Sequence, residues 1–120
     1  MAKILITDDS SFMRGMLKNL LVNHGHEVIG EACNGLEAVK LFAELKPDLV
    51  TMDITMPEMS GIDAVKAITQ IDKNAIIVMV SSMGQKAMVL GAIQSGAKDF
   101  IVKPFEDERV LGVLERLLSK

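Results

Sequence analysis

Hydrophobic positions along the chain follow two different periods. Five short runs are apolar at most positions: KILIT (3–7), HEVIGEA (26–32), DLVTM (48–52), AIIVMV (75–80) and DFIV (99–102). Between them, apolar residues return every three or four positions. Met13, Met16, Leu17, Leu20 and Leu21 share one face of the first such segment, and Val110, Leu111, Leu114, Leu117 and Leu118 share one face of the last. The short runs predict strands, and the segments with a 3.6-residue period predict amphipathic helices. Helix punctuation agrees. DSS (9–11) offers a cap for the first helix and Gly25 a stop, Asn34-Gly35 opens the second, and Gly96 follows the fourth.

Strand and helix alternate five times. That predicts an α/β fold, a five-stranded parallel sheet with five helices distributed over both faces. The first, fourth and fifth runs are apolar on successive positions, as expected of strands covered on both sides. The 120 residues contain no repeat, linker or low-complexity tract, so residues 1–120 are expected to form one complete domain.

Composition narrows the function classes. Apolar residues make up 49% and charged residues 24%, and the net charge is −3 with no cluster of Lys or Arg. These values argue against disorder and against a nucleic-acid or anionic-membrane surface. Cys33 is the sole cysteine, which excludes an intramolecular disulfide and fits a reducing compartment. Its thiol is expected to be inert and partly buried. The N-terminus has too short an apolar run for a signal peptide, and no stretch approaches the roughly 18 apolar residues of a membrane span. A cytoplasmic protein without membrane insertion is expected. Most of the nine methionines are read as core filling. Met56, Met59, Met83 and Met88 fall near the loops or the fourth helix, where some could face a partner. His24 and His26 flank Gly25 and are not expected to be ligands.

Candidate chemistry collects where the strands end. In an open parallel sheet, sites form beyond the carboxyl ends of the strands. Asp8 and Asp9 follow the first strand, Asp53 the third, Ser81 and Ser82 the fourth and Lys103 the fifth. Each alone has an ordinary explanation: Asp8 and Asp9 as helix-capping residues, Asp53 as a turn residue, Ser81 as a loop hydroxyl, Lys103 as a solvated amine. Together they imply three carboxylates, a hydroxyl and an amine on one edge. Clustered carboxylates repel, and one is driven toward its protonated form unless a cation intervenes. Mg²⁺ suits a few carboxylates plus waters and a phosphate, and a carboxylate not consumed by the metal can act as a nucleophile.

In this order and spacing, DD (8–9), DITMPEMSG (53–61), SS (81–82) and KPF (103–105) resemble the receiver domain of two-component signalling, and within it the stand-alone chemotaxis regulators. The likeness runs from residue 3 to 118. It implies a flavodoxin-like fold of strand order 2-1-3-4-5. It implies Asp53 as the acceptor of a phosphoryl group, with Mg²⁺ held by Asp9, Asp53 and the backbone carbonyl of Thr55, and by Asp8 chiefly through water. It implies that Lys103 pairs with the phosphoryl oxygens, Ser81 hydrogen-bonds one of them, a cis peptide precedes Pro104, and Ser81 and Phe100 form the switch. Thr55 and Met83 would flank the phosphoryl site and set the lifetime of the phosphorylated state. The implied partners are a sensor histidine kinase (the chemotaxis kinase), a flagellar motor switch protein and a dedicated phosphatase, met by a monomer. The protein is then a signalling protein rather than an enzyme.

Three alternatives compete. A receiver of another phosphorelay would share every motif. A flavodoxin would share the strand order but needs a Ser/Thr/Gly-rich phosphate loop where DDSS stands, and the chain has no Trp or Tyr. A haloacid-dehalogenase-type phosphatase also uses an Asp nucleophile, but its second Asp would fall where Thr55 stands.

Overall fold

The computed structural model describes residues 2–82 and 84–119. Strands β1 (Lys3–Thr7), β2 (Glu27–Ala32), β3 (Leu49–Asp53), β4 (Ile77–Ser82) and β5 (Asp99–Lys103) alternate with helices α1 (Ser11–Asn23), α2 (Gly35–Leu45), α3 (Gly61–Ile71), α4 (Lys86–Ser95) and α5 (Asp107–Leu118). The strands form one parallel sheet in the order β2-β1-β3-β4-β5. Two apolar layers cover it. On one face Leu5, Val50, Met52, Ile77 and Met79 meet α2, α3 and α4 through Phe42, Val65, Ile68 and Val89. On the other, Ile4, Ile6, Leu49, Val78 and Ile101 meet α1 and α5 through Leu17, Leu21, Val110 and Leu114. Alternate side chains of each strand go to opposite faces, which is why the central runs read as continuously apolar.

The helices begin where capping chemistry allows. Ser10, Asn34 and Ser60 each accept a hydrogen bond from the backbone N–H three residues on, at 3.2, 2.8 and 3.3 Å. At α2 a second bond backs up the cap, because Glu37 Oε1 accepts the N–H of Cys33, the residue before Asn34, at 2.8 Å. Gly25 and Gly96, at φ +88° and +129°, end α1 and α4 as their positions predict.

Several expectations change. β5 reads as doubly covered but is an edge strand, with only Ile101 of its five residues buried. β4 begins two residues late and ends two late, because Ala75 closes a turn onto Asp72 while Ser81 and Ser82 stay paired with Val102 and Lys103. The stripe of α1 is narrower than its sequence suggests. Leu17, Leu20 and Leu21 are buried, whereas Met16 is 44% exposed. Cys33 is exposed, not partly buried, since it lies past the end of edge strand β2. Met56 is buried and Met59 packs against the core, while Met88 is exposed; Met83 lies outside the described residues. Among the described residues no helix is long and apolar enough to cross a membrane.

The acidic pocket at the carboxyl edge of the sheet

β1 and β3 are neighbours, so the residues at their carboxyl ends stand side by side. Asp8 and Asp53 are buried and Asp9 is exposed, and one carboxylate oxygen from each lies within 4.8 Å of the others. The chain fixes Asp8 firmly. Its backbone N–H donates to the Ala32 carbonyl at 3.0 Å, and its Oδ1 accepts the N–H of Ser10 at 2.9 Å. Asp53 closes a strand whose five residues are all buried, and its Oδ1 accepts the N–H of Ile54 at 2.9 Å.

Lys103 completes the cluster. Its Nζ lies 2.9 Å from Asp8 Oδ2 and 3.5 Å from Asp53 Oδ1. Its strand sits beyond β4, so the side chain reaches over the end of β4 to touch residues of β1 and β3. The bond between Lys103 and Pro104 is cis, as the resemblance implied. Three carboxylates and one ammonium remain electrostatically unbalanced. Burial pushes the Asp53 carboxyl up to about 6, with the charge of Asp8 adding to it, while Lys103 and the Ile54 N–H oppose the rise. Burial also works against the Lys103 ammonium, but its hydrogen bond to Asp8 and the charge of Asp53 outweigh this and raise its pKa. Two buried anions sharing one cation make a site with capacity for another.

The other sequence-predicted residues gather round this pocket. Val80 pairs with Asp53, so the buried Ser81 stands one residue beyond it on the neighbouring strand. Its side chain points to the face of α3 and α4, the same face as Phe100, because Met79 pairs with Phe100 and Ser81 with Val102. Phe100 is half-buried, and the Arg109 guanidinium lies 5.8 Å over its ring. Thr55 is exposed on the loop after β3, two residues past Asp53.

Other residues of the site escaped the sequence reading. Arg14 Nη1 donates to the Asp8 carbonyl at 2.6 Å while its Nε pairs with Glu31 at 3.2 Å, which holds the acidic turn from the side. An Arg one turn into a helix gives no hint of that. Gly61 is required by close approach, since a Cβ there would run into the Asp53 carbonyl, and its N–H donates to Ile54 at 2.7 Å. The Ser60-Gly61 pair after PEM was the one signal that could have pointed to it. Gln85 Nε2 donates to the Thr55 hydroxyl at 3.1 Å, and nothing in its surroundings in the sequence marks it.

Comparison with known proteins agrees with this geometry. Residues 4–115 match the family described as "Response regulator receiver domain". The chain is 60% identical to the chemotaxis protein CheY of Thermotoga maritima, covering 96% of each chain, and 59% identical to that of Bacillus subtilis, covering 98% of each. Its fold superposes with a TM-score of 0.93 on a chain of the CheX–CheY–BeF3–Mg complex from Borrelia burgdorferi, at 38% identity over 98% of this chain and 90% of that one. Sheet order, acidic pocket and sequence likeness together mean that the chain belongs to the response regulator receiver domain family, as a CheY-like signalling protein of two-component systems.

Proposed function

We propose that this chain is a cytoplasmic, monomeric chemotaxis regulator, a single receiver domain over residues 1–120, that takes a phosphoryl group on Asp53 from a phosphohistidine of its sensor kinase. One observation carries the reading. Asp8, Asp9 and Asp53 lie within 4.8 Å of one another, and the same pocket contains an amine 2.9 Å from Asp8 and 3.5 Å from Asp53. In-line phosphoryl transfer needs positioning and charge neutralisation, and this arrangement supplies both.

In the step itself an Asp53 oxygen bonds to phosphorus as the donor's N–P bond breaks, and the electron pair stays on the imidazole nitrogen. Lys103 moves from the carboxylates to the incoming phosphoryl oxygens. Ser81 donates its hydroxyl to one of those oxygens. The donor set fits Mg²⁺, with Asp9, Asp53 and the Thr55 carbonyl as its ligands and Asp8 acting chiefly through water. When bound, the ion neutralises charge on the phosphoryl oxygens.

Phosphorylation then alters the face of α4, β5 and α5 through Ser81 and Phe100, and that face binds a flagellar motor switch protein. A dedicated phosphatase ends the signal. Relatives named for chemotaxis at 56–60% identity favour this pathway over other phosphorelays. Mass spectrometry after incubation with acetyl phosphate and Mg²⁺ tests the core of the reading. The parent chain is expected to gain one phosphoryl group and Asp53→Asn none. Equal labelling of both would move the acceptor to another residue. Pull-downs with and without beryllofluoride, a phosphoryl mimic, then identify the target.

A further inference from the structure

Gln85 occupies the N-cap position of α4, yet its side chain caps none of the backbone N–H groups of that helix. α1, α2 and α3 all use that position for a side-chain cap. The Gln85 carboxamide is turned to the end of β4 and the loop after β3 instead. Its Oε1 accepts the backbone N–H of Ser82 at 2.7 Å, and its Nε2 donates to the Thr55 hydroxyl at 3.1 Å, with the Met88 sulfur 4.0 Å away. One planar group thereby ties the end of β4 to the loop that follows Asp53. Ser82 adjoins Ser81, and Thr55 stands two residues past Asp53, so the tie joins the two segments next to the residues of the pocket.

We propose that Gln85 is a positioning residue, a strap that holds the end of β4 to Thr55 and slows both the arrival of a phosphoryl group at Asp53 and its loss to water. The proposal rests on Asp53 being the phosphoacceptor. In the loss step a water oxygen bonds to phosphorus, the Asp53 O–P bond breaks with its electron pair returning to the carboxylate, and the water proton leaves with the phosphate. The strap restricts the approach of that water. An intact strap also occupies the Thr55 hydroxyl, which would otherwise be free to orient the water. Helix α4 begins at the strap, so the same two hydrogen bonds tie the position of α4 to the state of the pocket.

A double-mutant cycle on the full chain tests this. The chain is loaded with acetyl phosphate and Mg²⁺, the donor is removed, and loss of the phosphoryl mass is followed in time. Gln85→Ala is expected to speed the loss by about threefold or more in the parent, as for a typical coupling between touching residues. In a Thr55→Val background, where the strap is already cut, the same substitution should change the rate little. Gln85→Glu keeps an acceptor for the Ser82 N–H and can take the Thr55 hydroxyl as donor in place of acceptor, so it should keep the slow loss of the parent. The amide resonance of Ser82 should then shift in the Ala variant and stay in the Glu variant. Equal acceleration in both Thr55 backgrounds, or none in either, would overturn the strap while leaving Asp53 as acceptor. A parent chain that takes up no phosphoryl group would overturn the reading of Asp53 and the strap with it.

Discussion

The Asp53 carboxyl sits between a buried carboxylate, Asp8, and the half-buried ammonium of Lys103, and its raised pKa of about 6 has a measurable consequence. In the unfolded chain this group titrates near 3.8; in the folded chain it keeps its proton up to about pH 6. Between those values the folded state binds more protons, so the stability Asp53 contributes falls as pH rises through the window and is constant above it. Carbon-13 NMR of the metal-free chain should show its midpoint near 6, and Mg²⁺ should move that midpoint down by stabilising the carboxylate. A midpoint unmoved by Mg²⁺ would mean that the ion does not bind beside Asp53. The three acids are not equivalent. Neutralising any one relieves repulsion, but Asp8 also accepts the shorter bond from Lys103. Asp53→Asn and Asp9→Asn should therefore stabilise the metal-free protein, whereas Asp8→Asn gives up an ion pair and should not. Away from the pocket, the buried hydroxyl of Thr51 makes no hydrogen bond among the described residues. Thr51→Val removes that unsatisfied group at nearly constant shape and should raise stability by about 1 kcal/mol in urea unfolding.

At the scale of elements, the loop from β3 into α3 and the pairing of β5 with α5 matter most. A side chain at Gly61 meets the backbone of Asp53 rather than a flexible neighbour, so Gly61→Ala must shift the loop that carries Thr55. It should cost roughly 1–3 kcal/mol and slow phosphorylation of Asp53 even where the fold survives. Normal labelling of that variant would show that the loop can relax without disturbing the site. At β5, Phe100 packs partly on the core while Arg109 of α5 covers its ring and donates to its carbonyl at 2.9 Å. Moving the ring inward on activation gains apolar burial, and ~60 Å² at about 25 cal/mol per Å² is roughly 1.5 kcal/mol. Leaving Arg109 forfeits about 0.5–1 kcal/mol of cation–π attraction. The two terms are close enough for the ring to be switched by phosphorylation. Fluorine NMR of labelled Phe100 should therefore shift with beryllofluoride, and Arg109→Ala should shift it part of the way without. Phe100→Ala should accept phosphate normally and lose phosphorylation-dependent target binding. An unchanged ring resonance on activation would remove Phe100 from the switch.

For the whole molecule, the pocket couples fold stability to its ligand. Any ion that binds only the folded chain adds about 2.7 kcal/mol at a hundred times its dissociation constant. Mg²⁺ is expected to raise the melting temperature of the parent by several degrees. In Asp53→Asn the metal-free melt should start higher and respond less, because the repulsion relieved by the substitution is the same repulsion the ion relieves. Melts of the parent that are indifferent to Mg²⁺ would remove the ion from the site.

Period and punctuation alone determined five strands, five helices and their order along the chain, because side-chain alternation and capping are local properties of the backbone. The motifs at the carboxyl ends of β1, β3, β4 and β5 were equally legible, since the functional groups of an open parallel sheet gather at that edge. Which strands lie at the edge was not legible from their composition. DFIV is as apolar as a central strand, and only the sheet order leaves it partnered on one side. The tertiary structure alone decided that Lys103 reaches over β4 to Asp8, that Arg14 supports the acidic turn, and that Gln85 joins the end of β4 to the loop after β3. Each of these contacts joins residues carried by different elements, or by the loops between them. A residue's neighbours within the chain say nothing about which distant backbone the fold will bring within about 3 Å of its side chain.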